Sequence, residues 1–177
     1  TSDSFTLNNH SVHQEMAIVV AKQLQKIIQL ADLKEPVLIV GLGNRRATPD
    51  SLGPRVAEKT MATRHLFGHA PQQILEGVRP VTFLAPGVLG ATGIESAEMV
   101  KAVVDTIHPS LVIAIDALAA GDASRIGTTI QICNTGINPG AGVANHRPGL
   151  HEEFLGVPVI AVGIPTIVKA KIIAHHA

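Results

Sequence analysis

The sequence predicts an α/β domain, a three-layer α/β/α sandwich around a mostly parallel sheet, and three observations carry that expectation. Short runs of Val, Ile and Leu such as "VLIV", "LVIAID" and "VPVIAV" lack the polar alternation of a half-exposed strand, as in strands covered on both faces. These runs alternate with stretches whose apolar residues recur at helical spacing. Aromatic residues number four Phe with no Trp or Tyr, so the core is aliphatic. With 177 residues, 46% of them apolar, the chain suits a single domain spanning residues 1–177 and buries enough surface to fold without staples.

The elements follow in order. "HSVHQEMAIVVAKQLQKIIQL" sets Val12, Met16, Val19, Val20, Leu24, Ile27 and Ile28 at helical spacing, an amphipathic first helix. "EPVLIVGLGN" is a β-branched run ended by glycine, and "SLGPRVAEKTMATRHL" resumes a helical pattern. "VRPVTFLAPGV" repeats the plan of strand then glycine. "GIESAEMVKAVVDTI" follows as a helix with Ile94, Met99, Val103 and Ile107 near one face, and "HPSLVIAIDALAA" as a buried strand. Successive strand–helix–strand units imply parallel strands joined by right-handed crossovers. "TTIQIC", a glycine-rich connection from Asn134 to Leu150, the strand "VPVIAVGIP" and an apolar last segment complete the chain.

In open α/β sheets, chemistry gathers where loops leave the carboxyl ends of the strands. That rule selects Asp50 after the first strand, Glu95 at the start of a helix, Asp116 at the end of "VIAID", and the stretch from Asn134 to Arg147 after "TIQIC". Each carboxylate also has a structural reading: Asp50 as a cap of the helix starting near Ser51, Glu95 as a favourable charge at a helix N-terminus, Asp116 as an acceptor for its own loop. Asp116 leans toward function, because a carboxylate directly after four apolar strand residues is costly to desolvate without a partner or a reaction to use it. "NTGINPGAGVANHR" is long and rich in Gly and Pro. It is expected to border a cleft and help receive an extended peptide, with Asn134, Asn145 and Arg147 as supporting residues beside Glu95.

Other classes are disfavoured. "GLGNRR" puts Arg46 where a dinucleotide fingerprint needs its third glycine, and no G-K-[ST] exists to make a P-loop. Fourteen basic and fourteen acidic residues cancel, so no basic field recommends nucleic acid. Cys133 is the one cysteine and reads as strand packing in a reducing compartment. No run reaches membrane-spanning length and no basic-then-apolar leader opens the chain, so a soluble, intracellular protein with no membrane partner is expected. His65 and His69 stand four apart on an expected helix without the glutamate of H-E-x-x-H, and His10 with His13 reads as a solvated face; no metal or other cofactor is expected.

The strings "GLGN", "TPDSLGP", "TRHLF", "APGVLGATGIES", "LVIAIDALAA", "TTIQICNTGINPGAGVANHR" and "LGVPVIAVGIPT" together resemble the germination protease family, in the same order from about Pro36 to Thr166. The resemblance implies an endopeptidase that cleaves small acid-soluble spore proteins during germination, is made as a zymogen, assembles as a homotetramer and works in the spore cytoplasm. It also implies a fold shared with hydrogenase maturation proteases, of the phosphorylase/hydrolase-like kind, and an atypical aspartic peptidase whose catalytic aspartates fall on "TPD" and "IDALA", here Asp50 and Asp116. The chain departs from the family pattern at Ala141, Ala144 and Lys169, and reads as a catalytic core, a fragment of a longer zymogen chain. Two other classes stay open: a nickel-dependent maturation-type endopeptidase using the two aspartates and a histidine, and a non-catalytic α/β binding module.

Overall fold

The computed structural model describes residues 10–28, 35–140 and 148–168. In chain order the elements are α1 (His10–Ile27), β1 (Val37–Leu42), α2 (Leu52–Lys59), α3 (Gln72–Leu75), β2 (Val81–Gly87), α4 (Leu89–Thr92), α5 (Ser96–Ile107), β3 (Leu111–Ala120), β4 (Gln131–Cys133), α6 (Glu152–Leu155) and β5 (Val159–Val168). The five strands form one sheet in the order β2-β1-β3-β5-β4. β1 runs parallel to β2 and β3, and β3 parallel to β5, while β4 alone pairs antiparallel, on the edge of β5.

Side chains alternate between faces along a strand, and the packing follows that period. Leu38, Val40 and Leu42 of β1, with Val112, Ala114 and Val159, pack against Ala97, Val100 and Val104 of α5 and against Leu150 and Leu155. Val37, Leu111 and Ile160 lie in a second cluster with Leu24, Ile27 and Ile28 at the end of α1, flanked by Ile39, Ile113 and Val162. Helices thus cover both faces, which is why the strands are unbroken aliphatic runs. Each fully buried Leu or Val contributes roughly 1.5–3 kcal/mol relative to exposure.

Several boundaries differ from the sequence expectation. In α1, Val19 is 49% exposed and Ile18 56%, so the inward stripe is Val12, Met16, Val20, Leu24 and Ile27. The buried stripe of α5 is Ala97, Val100 and Val104, with Ile94 outside the helix and exposed.

The stretch "SLGPRVAEKTMATRHL" is helical only to Lys59. Thr60 leaves the helix in extended backbone, and Thr63 then bonds to the start of β2. Its hydroxyl donates to Arg79 O (2.5 Å) and accepts from the Val81 N–H (2.9 Å), and its own N–H donates to Val81 O. A helix cannot continue through a residue whose backbone is committed to a strand. His65 therefore lies in a 3-10 turn, Arg64–Gly68, with His69 just beyond it and both exposed, so the pair has no shared helical face.

Candidate active site

The first wall of the site is the loop that leaves β1. Gly43 takes φ +110°, a conformation that side chains disfavour, and a Cβ there would meet the backbone oxygen of Asp50 at 2.2 Å. The loop closes on itself through short-range bonds. The N–H of Asn44 donates to Asp50 Oδ2 (2.8 Å), the N–H of Arg46 donates to Asn44 Oδ1 (2.9 Å), and that of Asp50 donates to Ala47 O (2.8 Å). Arg45 forms an exposed two-point ion pair with Glu58 of α2. Asp50 ends a 3-10 turn, Thr48–Asp50, that Pro49 favours. Its carboxylate turns back onto the loop at Asn44 instead of capping α2, whose N-cap Ser51 makes no side-chain cap bond.

The second wall follows from register. β1 pairs with β3 as far as Gly41↔Ile115, whereas β3 and β5 pair on to Ala120↔Val168. Asp116 is therefore the first residue of β3 beyond its pairing with β1, not the end of its strand. Gly53, at the start of α2, fills the space where the two strands separate: a Cβ on it would lie 2.2 Å from Leu42 O and 2.6 Å from Ile115 O. Opposite Asp116 in β5 is Gly163, whose missing side chain leaves room that Leu118 occupies.

Asp116 is 7% exposed. One carboxyl oxygen, Oδ1, accepts from the N–H of Ala117 (2.8 Å). Burial pushes the carboxyl up to about 7; the Ala117 N–H acts in the opposite sense, and the negative charge of Asp50 adds to the rise. The charge of Asp50 is the smallest of these three influences. Near neutral pH Asp116 can therefore hold a proton in its buried position.

Thr166 holds the loop over this rim. Its hydroxyl donates to Pro49 O at 2.6 Å, joining residues 117 positions apart, and it lies where β5 carries an extra residue between the pairs Leu118↔Pro165 and Ala119↔Ile167. Thr166→Val keeps the shape and removes the donor. The expected result is a loss of about 1 kcal/mol in stability and a roughly tenfold fall in kcat, measured by denaturant unfolding and peptide cleavage. Gly43, Asn44, Gly53 and Thr166 were not singled out from the sequence; their contribution depends on which backbone lies next to which.

The remaining expected site residues are placed differently. Glu95 is the N-cap of α5, and its side chain accepts from the backbone of Glu98 while Glu98 accepts from the N–H of Glu95, a reciprocal capping box. Glu95→Ala is expected to lower stability by about 1 kcal/mol and leave kcat/KM unchanged; a fall in kcat at unchanged stability would assign Glu95 to the chemistry instead.

Asn134 follows the antiparallel β4, whose pairs run from Gln131↔Gly163 to Cys133↔Ala161. Because that direction opposes the other strands, Asn134 leaves the sheet toward its amino-terminal edge, away from Asp116, and is exposed. The connection beyond it is clasped by the bridge Ile137↔Leu150 and by His151, whose ring nitrogens face Thr135 O (2.8 Å) and Asn138 Oδ1 (2.9 Å). Asn145 and Arg147 lie outside the described residues.

Among the described residues no group of three or more His, Cys, Asp or Glu is placed to hold a metal ion, and no helix is long and apolar enough to cross a membrane.

The chain is similar to known proteins over its whole length. The family model for germination protease matches residues 1–177. The chain is 50% identical over 173 residues to a germination protease of Clostridium perfringens, covering 98% of this chain and 53% of that protein. It is 57% identical over 159 residues to one of Caldanaerobacter subterraneus, covering 88% and 49%, and 47% identical over 169 residues to that of Bacillus subtilis, covering 94% and 46%. The chain spans about half the length of these relatives. Among solved structures it is similar to a [NiFe] hydrogenase maturation protease, HycI, from Thermococcus kodakarensis, with a TM-score of 0.52 at 20% identity over 85% of this chain and 88% of that one, a likeness of fold. The chain belongs to the germination protease family.

Proposed function

We propose, with that membership as premise, that this chain carries the catalytic core of an endopeptidase that degrades small acid-soluble spore proteins, hydrolysing peptide bonds with water activated between Asp50 and Asp116. The observation that carries the reading is the buried Asp116, whose carboxyl burial pushes up to about 7, with the charge of Asp50, in the loop that follows β1, adding to the rise. Each aspartate has one carboxyl oxygen engaged by a backbone N–H, and neither shows a second partner among the described residues. An oxygen on each side is thus left for water and substrate.

The steps balance as follows. Asp50 takes a proton from water as the water oxygen attacks the scissile carbonyl carbon, and Asp116 gives its proton to the carbonyl oxygen. Collapse of the tetrahedral adduct breaks the C–N bond, the amine leaves with the proton held by Asp50, and the proton on the former carbonyl oxygen returns to Asp116. The result is one carboxyl terminus, one amine and the starting protonation state. The raised Asp116 value suits this role, because an acid that titrates near the working pH is both protonated often enough and willing to donate. Activation from a zymogen, assembly as a homotetramer and action in the spore cytoplasm belong to the same proposal.

Cleavage of a purified small acid-soluble spore protein by the full-length protein, before and after exhaustive chelation, tests this function. The expectation is cleavage in both conditions. Loss on chelation with recovery on added nickel would assign the chemistry to a metal, and binding without cleavage in either condition would assign the chain to a binding module.

A further inference from the structure

The same register that carries Asp116 beyond the end of β1 leaves a length of strand edge beside it with no strand paired to it among the described residues. β3 loses β1 after Ile115 but continues for five residues, Asp116–Ala120, paired on β5 alone. The direction of its free groups follows from strand geometry. The N–H of Val112 donates to Pro158 O, immediately before β5, so even-numbered residues of β3 address β5 and odd-numbered ones address the β1 side. Two observations agree: the carbonyl of Ile115 lies beside Gly53 and Leu42, at the end of β1, and the N–H of Ala117 has turned to the carboxylate of Asp116. The extra residue at Thr166 is on β5, so the alternation along β3 continues. The carbonyl of Ala117 and both backbone groups of Ala119 therefore face the vacated side with no strand paired to them among the described residues.

The side chains there are Ala117, Leu118, Ala119 and Ala120, and Ala119 is exposed. Native edges are commonly guarded by lysine, proline or a bulge in the edge strand itself, and this length of β3 has none of them. The outer side of β5 at the same level is different: Pro165 has no N–H, and its carbonyl already accepts from Gly127 (2.8 Å). The unpaired edge is thus on the β1 side of β3, and it begins at Asp116.

We propose that the substrate polypeptide binds as an added strand on Ala117–Ala119, in the lane that β1 vacates, which carries its scissile bond past Asp116 and Asp50. This rests on the endopeptidase reading above, and it states what recognises the substrate: main-chain groups of an extended, unfolded segment, with little demand on its side chains. Ala117 and Ala119 act by positioning. A folded protein would be refused because its backbone is already paired, whereas a chain lacking stable structure would be accepted at many sequences.

The test is a backbone scan of the substrate. A spore-protein peptide that the full-length enzyme cleaves is made in a series with one amide N-methylated at a time, which removes a donor without altering side chains. Methylation at every second amide on one side of the scissile bond is expected to raise KM about tenfold, with the intervening amides nearly silent. In the enzyme, Ala119→Pro removes an outward N–H that β5 does not use, and is expected to raise KM with the melting temperature little changed. A scan without alternation, or Ala119→Pro with wild-type KM, overturns the added strand while leaving the peptidase intact. A change in oligomeric state with KM unaltered would assign the edge to a second copy of the chain and likewise overturn it. Failure to cleave any unmethylated spore peptide removes the endopeptidase reading, and this inference with it.

Discussion

Asp116→Asn is expected to abolish cleavage, by a thousandfold or more, and at the same time to make the folded protein more stable at pH 8. The two effects have one cause. A buried carboxyl that titrates near 7, when its unfolded value is close to 4, keeps its proton in the folded state through a range where the unfolded chain has released it. The folded state then binds more protons than the unfolded one, so stability falls as pH rises. The benefit is fully present below about 4 and is lost as pH passes through about 7. The rise from 3.8 to about 7 corresponds to a handicap of at most about 4 kcal/mol at alkaline pH. Asn carries no ionisable group and escapes it, so the melting temperature of the variant should exceed that of the wild type at pH 8 and approach it at pH 5. Asp50→Asn should also stop cleavage. By removing the neighbouring charge it should lower the Asp116 midpoint, which the side-chain carboxyl signal in a 13C NMR titration reports. Lower stability of Asp116→Asn at pH 8 would assign the residue to the architecture of its loop.

Gly53→Ala carries the largest expected structural effect. The added methyl would sit 2.2 Å from Leu42 O, 2.5 Å from Leu42 N and 2.6 Å from Ile115 O, all backbone atoms of the two central strands. No rotamer change relieves such contacts, so α2 must lift away from the sheet, and the loop carrying Asp50 moves with it. A loss of about 3 kcal/mol or more in chemical unfolding is expected, with cleavage reduced at least a hundredfold in whatever folds. Gly90→Ala is the matched control: nothing lies within 4 Å of its added methyl, and it sits in the short helix α4, so its stability should be unchanged or raised by about 0.5 kcal/mol. Equal melting temperatures for Gly53→Ala and the wild type would show that the junction of β1, β3 and α2 is looser than these contacts require.

The layers were legible in the sequence because burial on both faces leaves a direct mark: Leu38, Val40 and Leu42 pack one way and Val37 and Ile39 the other, so no polar alternation survives. Asp116 was legible for a related reason, as a carboxylate directly after an aliphatic run. What could not be seen was that β3 runs on past it without β1, since that depends on β1 ending its pairing opposite Ile115, a property of the neighbour and not of β3. Asn134 was misplaced for the same kind of reason. A strand's direction in the sheet is set by its partner, and β4 pairs antiparallel with β5. Gly53 carried no signal that separates it from Gly90, because glycine at a backbone crossing and glycine on an open surface look alike in one sequence. The expected helix through His65 ended at Lys59, and it cannot resume through Thr63, whose side chain and backbone are both taken by the start of β2.

The most direct measurement of the central claim, that Asp116 delivers the proton for hydrolysis beside Asp50, is kcat/KM against pH for the full-length enzyme stripped of metal by exhaustive chelation. The account predicts that cleavage persists after chelation and declines as pH rises through about 7, as Asp116 loses its proton, with a midpoint matching the carboxyl titration of Asp116 in the same preparation. A profile flat from pH 5 to 9, or activity that vanishes with the metal and returns with it, would contradict it.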